Sequence, residues 1–343
     1  MEVTPAVPPE VLAQFGLPHA VHAIPLGAGH IHTTLLLEAA TQRVVLQKMN
    51  TAVFQQPKAI AHNLQVVGAY LAQHHPDYFF LNPQPTTTGA AMAIDHAQGV
   101  WRLLPYVVNS YTLEEIETAD QAYEAARGFG LFARNLAGLP PAALQPTIPR
   151  FHDLAWRYQQ FETALATATP ERITRAKKEI ASAQAFQPLV HEYQQLIHAG
   201  ALPLRVTHND TKINNVLFDR TTHQVKCVID LDTLMPGYFI YDLGDLVRTC
   251  VCPVSEEETD LSKIRIRTEV QQALIAGYLQ PMSDVLSEDE KKQIPFAGKM
   301  MTYIMALRFL ADHLNGNVYY KVKHPLHNLD RARNQLHLLE KLM

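Results

Sequence analysis

Three residues have types and spacing suited to one reaction. Asp210 lies in a polar loop, Asn215 follows five residues later where a strand begins, and Asp230 ends the next strand. The stretch Val206-Thr207-His208-Asn209-Asp210-Thr211-Lys212-Ile213-Asn214-Asn215 has the form H-x-D-x-x-x-x-N, and Val228-Ile229-Asp230-Leu231-Asp232 supplies the second carboxylate. Moving a phosphoryl group needs a base near the attacking hydroxyl and divalent cations that neutralise charge on the phosphate oxygens. Asp210 can be the base. Asn215 and Asp230 are a neutral and an anionic hard oxygen ligand, the kind magnesium takes while keeping several waters. Singly, such residues are turn formers and helix caps. Their order along a loop and a hairpin is what points to chemistry. His208 reads as a loop-orienting group.

The elements that must hold these residues follow from periodicity. Ala23-Ile24-Pro25-Leu26, Leu35-Leu36-Leu37 and Val44-Val45-Leu46, separated by turn signals, predict antiparallel strands. Ile60, Leu64, Val67 and Leu71 recur at helical spacing after Pro57, predicting a helix over 57–74. A strand pair is expected over 92–95 and 100–104, turning at 96–99 and stopped by Pro105. Beyond Thr112 helical patterns take over, over 114–139 and 154–197, broken by Gly138 and by Pro140, Pro141, Pro146, Pro149 and Pro170. One hairpin interrupts them, 216–218 with 225–229, and helices resume from Leu261, with 296–314 apolar enough for a core helix. The expected class is α+β: a small antiparallel sheet first, a larger helical part after.

Composition bounds the alternatives. The chain has 343 residues, 47% hydrophobic and 18% charged, with a net charge of -4. It can bury a sizeable core, and it lacks the basic field that would draw nucleic acid or an anionic membrane. No stretch approaches the roughly twenty apolar residues that span a bilayer, and no basic-then-apolar leader is present, which predicts a cytoplasmic protein. Three cysteines, Cys227, Cys250 and Cys252, fit neither a disulfide framework nor a zinc spacing.

His208 to Asp219, Val228 to Gly237, and the following Asp242-Leu243-Gly244-Asp245 and Arg248 resemble the aminoglycoside phosphotransferase-like branch of the protein-kinase-like superfamily. Within that branch the chain most resembles the N-acetylhexosamine 1-kinases, from about Leu26 to Lys321. The resemblance implies a bilobal protein-kinase-like fold, with a nucleotide-binding lobe over 1–105 and a helical lobe over 106–343 carrying the catalytic loop and acceptor site. It implies ATP and Mg2+, with Asp210 and His208 in the catalytic loop and Asn215 and Asp230 on the metal. Gly27 and Gly29 would lie in the hairpin over the phosphates, and Leu104 to Tyr106 would form the hinge that receives adenine. Acceptor contacts are implied for His32, Asn209, Asp232, Arg308 and Tyr319. The implied activity is phosphorylation of the anomeric hydroxyl of N-acetylglucosamine or N-acetylgalactosamine. Aminoglycoside, choline or homoserine as acceptor, and a non-catalytic nucleotide-binding protein, are the alternatives on the same scaffold.

The sequence departs from the kinase pattern in one place. The third strand carries Gln47-Lys48 where a phosphate-pairing lysine is expected, and alternation sends the two to opposite faces. The following helix has no glutamate, and a Gln47–Asn63 amide pair is the expected substitute. Arg308, inside an apolar helix, calls for either an ion pair with Asp242, Asp245 or Asp312, or a role in sugar recognition.

Overall fold

The computed structural model describes residues 7–17, 22–27, 31–38 and 42–343. The chain divides into two compact units, Met1–Tyr111 with Gly138–Ile148 and Leu217–Pro236, and Thr112–Ala137 with Pro149–Val216 and Gly237–Met343.

In the first unit, α1 (Pro9–Gln14) precedes β1 (His22–Pro25), β2 (Thr33–Glu38) and β3 (Arg43–Lys48). Then come α2 (Pro57–His74), β4 (Ala93–Ile94), β5 (Val100–Pro105) and β6 (Ser110–Tyr111). The expected strands form one antiparallel sheet of order β1-β2-β3-β5-β4. Register decides what each face carries. Val44, Leu46, Trp101, Leu103, Leu35 and Leu37 are buried together with Val11, Leu12 and Phe15 of α1, and Lys48, paired across from Trp101, shares this face. Gln47 sits directly opposite Thr34 on one side and Arg102 on the other, so those three polar side chains form a row on the opposite face.

Helix α2 starts at Pro57, which needs no helical hydrogen bond for its nitrogen, and buries Ala59, Ile60, Leu64, Val67 and Leu71. Buried among them is Asn63. Its amide donates to the carbonyls of Gln145 (2.7 Å) and Leu234 (2.8 Å) and accepts from the Gln145 N–H (2.8 Å), tying α2 to two distant segments of the same unit. The Gln47–Asn63 pair therefore does not form, because backbone groups satisfy the Asn63 amide.

The second unit contains α3 (Ala119–Asn135), α4 (Leu154–Thr167), α5 (Pro170–Arg175), α6 (Lys177–Ala185) and α7 (Pro188–His198). The helical stretch over 154–197, expected to break at Pro170, is four helices: Pro170 opens α5 and Pro188 opens α7, each at its first turn, and Ala176 separates α5 from α6. Strand β7 (Arg205–Thr207) leads to the polar loop. The chain then returns to the first unit, where β8 (Val216–Asp219) and β9 (Val225–Val228) form the expected hairpin, and β10 (Met235–Gly237) leads out into α8 (Phe239–Cys250). Ser110 and Tyr111 of β6 pair with Asp219 and Phe218, adding a strand that the sequence reading lacked. Helices α9 (Thr268–Met282), α10 (Glu288–Lys292), α11 (Ile294–Asn315) and α12 (His327–Leu342) complete the second unit.

Two glycines set a close crossing in the helical unit. A Cβ on Gly277 would lie 2.2 Å from the Tyr123 carbonyl oxygen and one on Gly130 2.5 Å from that of Tyr278, so α3 and α9 meet through bare backbone. Helix α11 is buried throughout 296–314 except at Lys299 and Arg308. The cysteines are free and buried. No helix among the described residues is long and apolar enough to cross a membrane.

Candidate active site

The loop after β7 is anchored from below by Asp242 on α8. Asp242 Oδ2 accepts the His208 backbone N–H (3.0 Å), Oδ1 accepts that of Asn209 (2.7 Å), and the Thr211 hydroxyl donates to the Asp242 carbonyl (2.7 Å). Burial pushes the Asp242 carboxyl up to about 6 despite those two donors. Asn209 takes a left-handed conformation (φ 65°), and its amide bonds the Thr207 side chain and carbonyl. Gly237 makes room, since a Cβ there would strike Thr207 Oγ1 at 2.2 Å.

His208 and Asn209 are 0% and 2% exposed, and so hold the loop rather than face solvent. His208 Nδ1 accepts the Asp210 N–H (3.3 Å), while the edges of Phe129 and Phe132 meet its ring. The Asn209 carbonyl accepts Nε2–H of His152 (2.8 Å). Burial depresses the His152 ring to about 4, which keeps it neutral with its proton on Nε2.

Asp210 emerges from this support with each oxygen assigned. Oδ1 is 2.9 Å from Lys212 Nζ and Oδ2 accepts the Asn215 amide at 3.0 Å. Burial alone would raise its pKa, but Lys212, His208 and Asn215 together hold it below the ordinary carboxylate value. A carboxylate so held is ionised and oriented, as an acceptor of a hydroxyl proton must be. Asn215 Nδ2 also donates to the Asp210 carbonyl (2.8 Å), so both Nδ2 bonds point back into the loop and leave Oδ1 as the atom able to ligate a cation.

In the same unit, Arg308 lies beside three rings: its guanidinium carbon is 5.2 Å from the Phe151 centroid, 5.5 Å from Tyr320 and 5.9 Å from Tyr319. The ion pair considered for it does not form. Asp242 holds the loop, Asp245 pairs with Arg248 (2.8 Å), and Asp312 accepts backbone N–H groups. Phe151 packs on His152 (centroids 4.1 Å), so a chain of contacts runs from the Asn209 carbonyl through His152 and Phe151 to Arg308. Burial and Arg308 together depress Arg157 to about 10. The acidic run Glu256-Glu257-Glu258 is neutralised: Glu256 pairs with Arg248 and Arg331, Glu257 with Lys323 and Arg331, and Glu258 with Lys263.

The first unit carries a separate polar cluster. Arg102, 5% exposed, donates to Gln47 Oε1 (2.8 Å) and pairs with Asp232, which is fully buried. The Gln47 amide donates to Thr34 Oγ1 (2.9 Å). His32 Nδ1 accepts the Asn50 N–H (2.9 Å), so its proton is on Nε2 and is donated to Asp232 (2.6 Å). Burial opposes ionisation of Asp232, but Arg102 and His32 bring it down to about 2. Asp230, exposed and in a left-handed conformation at the end of the hairpin, has an oxygen within 4.8 Å of ligand atoms of His32 and Asp232. Because His32 Nε2 is protonated and Arg102 neutralises Asp232, Asp230 is the member of this group suited to a cation.

Lys48 lies on the other face of the strand, 3.6 Å from Asp95 and 5.3 Å from the Trp101 centroid. Leu104 packs with Leu217 and Ile229 against Leu81, Val107 and Cys227, while Tyr106 lies under Arg43 (5.9 Å). Gly27 turns the chain after β1 with φ 77°, and Gly29 lies outside the described residues. The sequence reading missed Arg102, His152 and Lys212. Arg102 had a signal, a lone charge in an apolar strand; His152 had none.

Known proteins share this fold. A microcompartment-associated aminopropanol kinase matches with a TM-score of 0.66 at 19% identity, over 96% of this chain and 95% of its own. An aminoglycoside phosphotransferase from Alicyclobacillus acidocaldarius matches with a TM-score of 0.67 at 12% identity, over 99% and 96%. An amicoumacin kinase in complex with AMP-PNP, Ca2+ and Ami matches with a TM-score of 0.60 at 14% identity, over 94% and 89%. The family model described as phosphotransferase enzyme family (APH) matches residues 22–280, and with the oriented Asp210 and the kinase-like fold in place, the chain belongs to that family.

Proposed function

We propose that the protein is an ATP-dependent, magnesium-requiring small-molecule kinase that phosphorylates the anomeric hydroxyl of an N-acetylhexosamine. The observation that carries the reaction class is Asp210, an ionised carboxylate oriented by Lys212 and Asn215 on a loop anchored through Asp242. In this reading Asp210 receives the acceptor proton. Asn215 Oδ1 and the Asp230 carboxylate are the ligands that would hold the metal, which when bound offsets charge on the phosphate oxygens. The first unit is assigned the nucleotide, with Leu104, Leu217 and Ile229 as the apolar bed for adenine, Tyr106 beside it, and the Gln47 face rather than the Lys48 face turned to the phosphates.

Arg308 favours a neutral, hydroxyl-rich acceptor. A guanidinium that no carboxylate among the described residues neutralises repels an amine, and the nearby acidic run is already spent in ion pairs. Arg308 and Tyr319 are therefore assigned to the acceptor, with Arg308 donating to its oxygens. The second reading, an amino alcohol or aminoglycoside as acceptor, has the aminopropanol kinase and the aminoglycoside phosphotransferase of the same fold behind it. A nucleotide-consumption screen with magnesium separates the two, using N-acetylglucosamine, N-acetylgalactosamine, simple hexoses, aminoglycosides, choline and homoserine. Turnover should be fastest on the N-acetylhexosamines, with a 1-phosphate identified by NMR. Turnover confined to the amines would contradict the acceptor assignment, and nucleotide binding without turnover would point to the non-catalytic alternative.

A further inference from the structure

Between α11 and α12 the chain runs through a segment with no regular secondary structure that is nevertheless tightly held. Gly316 (φ 104°) ends α11 and Asn317 continues in the left-handed region (φ 59°). The next three backbone N–H groups converge on one side chain. Asp312 Oδ1 accepts those of Val318 and Tyr319, both at 2.9 Å, and Oδ2 accepts that of Tyr320 at 3.0 Å and the Asn328 amide at 2.8 Å. Asn328, fully buried, also donates to Asn317 Oδ1 (3.1 Å), and Asn317 donates to the Pro325 carbonyl (3.0 Å).

A buried carboxylate with four donors is a strong, directional anchor, because each bond is charge-assisted and the alternative is an unpaired buried charge. What it anchors faces outward. Val318 is 78% and Tyr319 64% exposed, an unusual use of a rigid backbone unless the side chains are to be presented. Tyr319 and Tyr320 are two of the three rings beside Arg308, and the Tyr320 hydroxyl is buried without a hydrogen-bond partner among the described residues. A guanidinium set between rings, with no carboxylate among the described residues to neutralise it, is a donor set for an oxygen-rich ligand.

We propose that Asp312 is a positioning residue for acceptor specificity: by fixing the Val318–Tyr320 backbone it sets Tyr319 and Tyr320 against Arg308, so that aromatic faces and donors meet the acceptor as one preformed surface. This rests on the reading that Arg308 contacts the acceptor. Asp312 itself touches no acceptor and acts through the 318–320 backbone. Its loss should weaken acceptor binding while leaving the nucleotide's affinity alone.

The test compares Asp312→Ala, Asp312→Asn and Arg308→Ala in steady-state kinetics, with both Michaelis constants determined on the best acceptor of the screen. Asp312→Ala should raise the acceptor KM about tenfold or more, with the nucleotide KM unmoved. Asp312→Asn, which keeps one acceptor oxygen, should recover part of the loss. If Asp312→Ala does not fold, Val318→Pro removes one of the three donors at an exposed position and should raise the acceptor KM severalfold. An unchanged acceptor KM in folded Asp312→Ala or in Val318→Pro, while Arg308→Ala raises it, overturns the role of Asp312 and leaves the acceptor site standing. An unchanged acceptor KM in Arg308→Ala overturns the acceptor reading, and the role of Asp312 with it. Equal rises in both Michaelis constants would mean general loosening and would also overturn the proposal.

Discussion

His152 has a ring nitrogen on the Asn209 carbonyl and a second buried nitrogen with no partner among the described residues. Its pKa in the folded chain is about 4, against about 6.5 when unfolded. The unfolded chain therefore binds the extra proton first as pH falls. The stability this neutral ring allows is fully present above about pH 6.5 and is lost as pH drops toward 4, a cost of up to roughly 3 kcal/mol across the window. His152→Gln keeps a donor for the Asn209 carbonyl but does not titrate, so urea denaturation at pH 7 and pH 5 should show a smaller loss in the variant. Equal losses would remove His152 from the acid response. At this scale Asp210 and Asn215 stand out in the sequence because they lie close together in it, and the structure joins them by a hydrogen bond. Arg102 and Asp232 are 130 residues apart and His152 and Asn209 are 57 apart, and no local pattern reports such pairings. Asn209 and Asp232 were expected at the acceptor. Both are buried, Asn209 bonded to Thr207 and Asp232 paired with Arg102.

At the scale of elements, strands and long helices were legible where one face is buried and the period is clean. Helix α2 begins and ends where Pro57 and its apolar spacing place it. The two-residue β6 was not, since no periodicity exists over two positions. The α3–α9 crossing was equally hidden: Gly130 and Gly277 are ordinary glycines in sequence and matter only because carbonyls of the partner helix sit where their side chains would be. Gly277→Ala should cost about 2 kcal/mol or more, since Ala must push the Tyr123 carbonyl away. Gly200→Ala has open space and only a left-handed φ of 65° to strain, and should cost about 1 kcal/mol. Thermal unfolding of the two variants checks the order, and a Gly277→Ala variant as stable as the parent would mean that the crossing is not close-packed.

For the whole molecule, a net charge of -4 and a mixed sheet-and-helix chain left many functions open, and the narrowing came from a short motif in a matching scaffold. Family and fold were readable because the loop, the hairpin and their flanking carboxylates are contiguous. The acceptor is less so, because the stretch carrying Arg308 and Tyr319 has no spacing that reports a ligand, and the Phe151 ring beside Arg308 comes from a distant part of the chain. The proposed kinase activity stands on Asp210 as the proton acceptor in phosphoryl transfer. The most direct measurement is steady-state turnover of Asp210→Asn with magnesium, ATP and an N-acetylhexosamine, alongside nucleotide affinity by calorimetry. A proton-accepting Asp210 predicts a fall in kcat of about a hundredfold or more with nucleotide affinity unchanged; turnover at the parent rate would contradict that role.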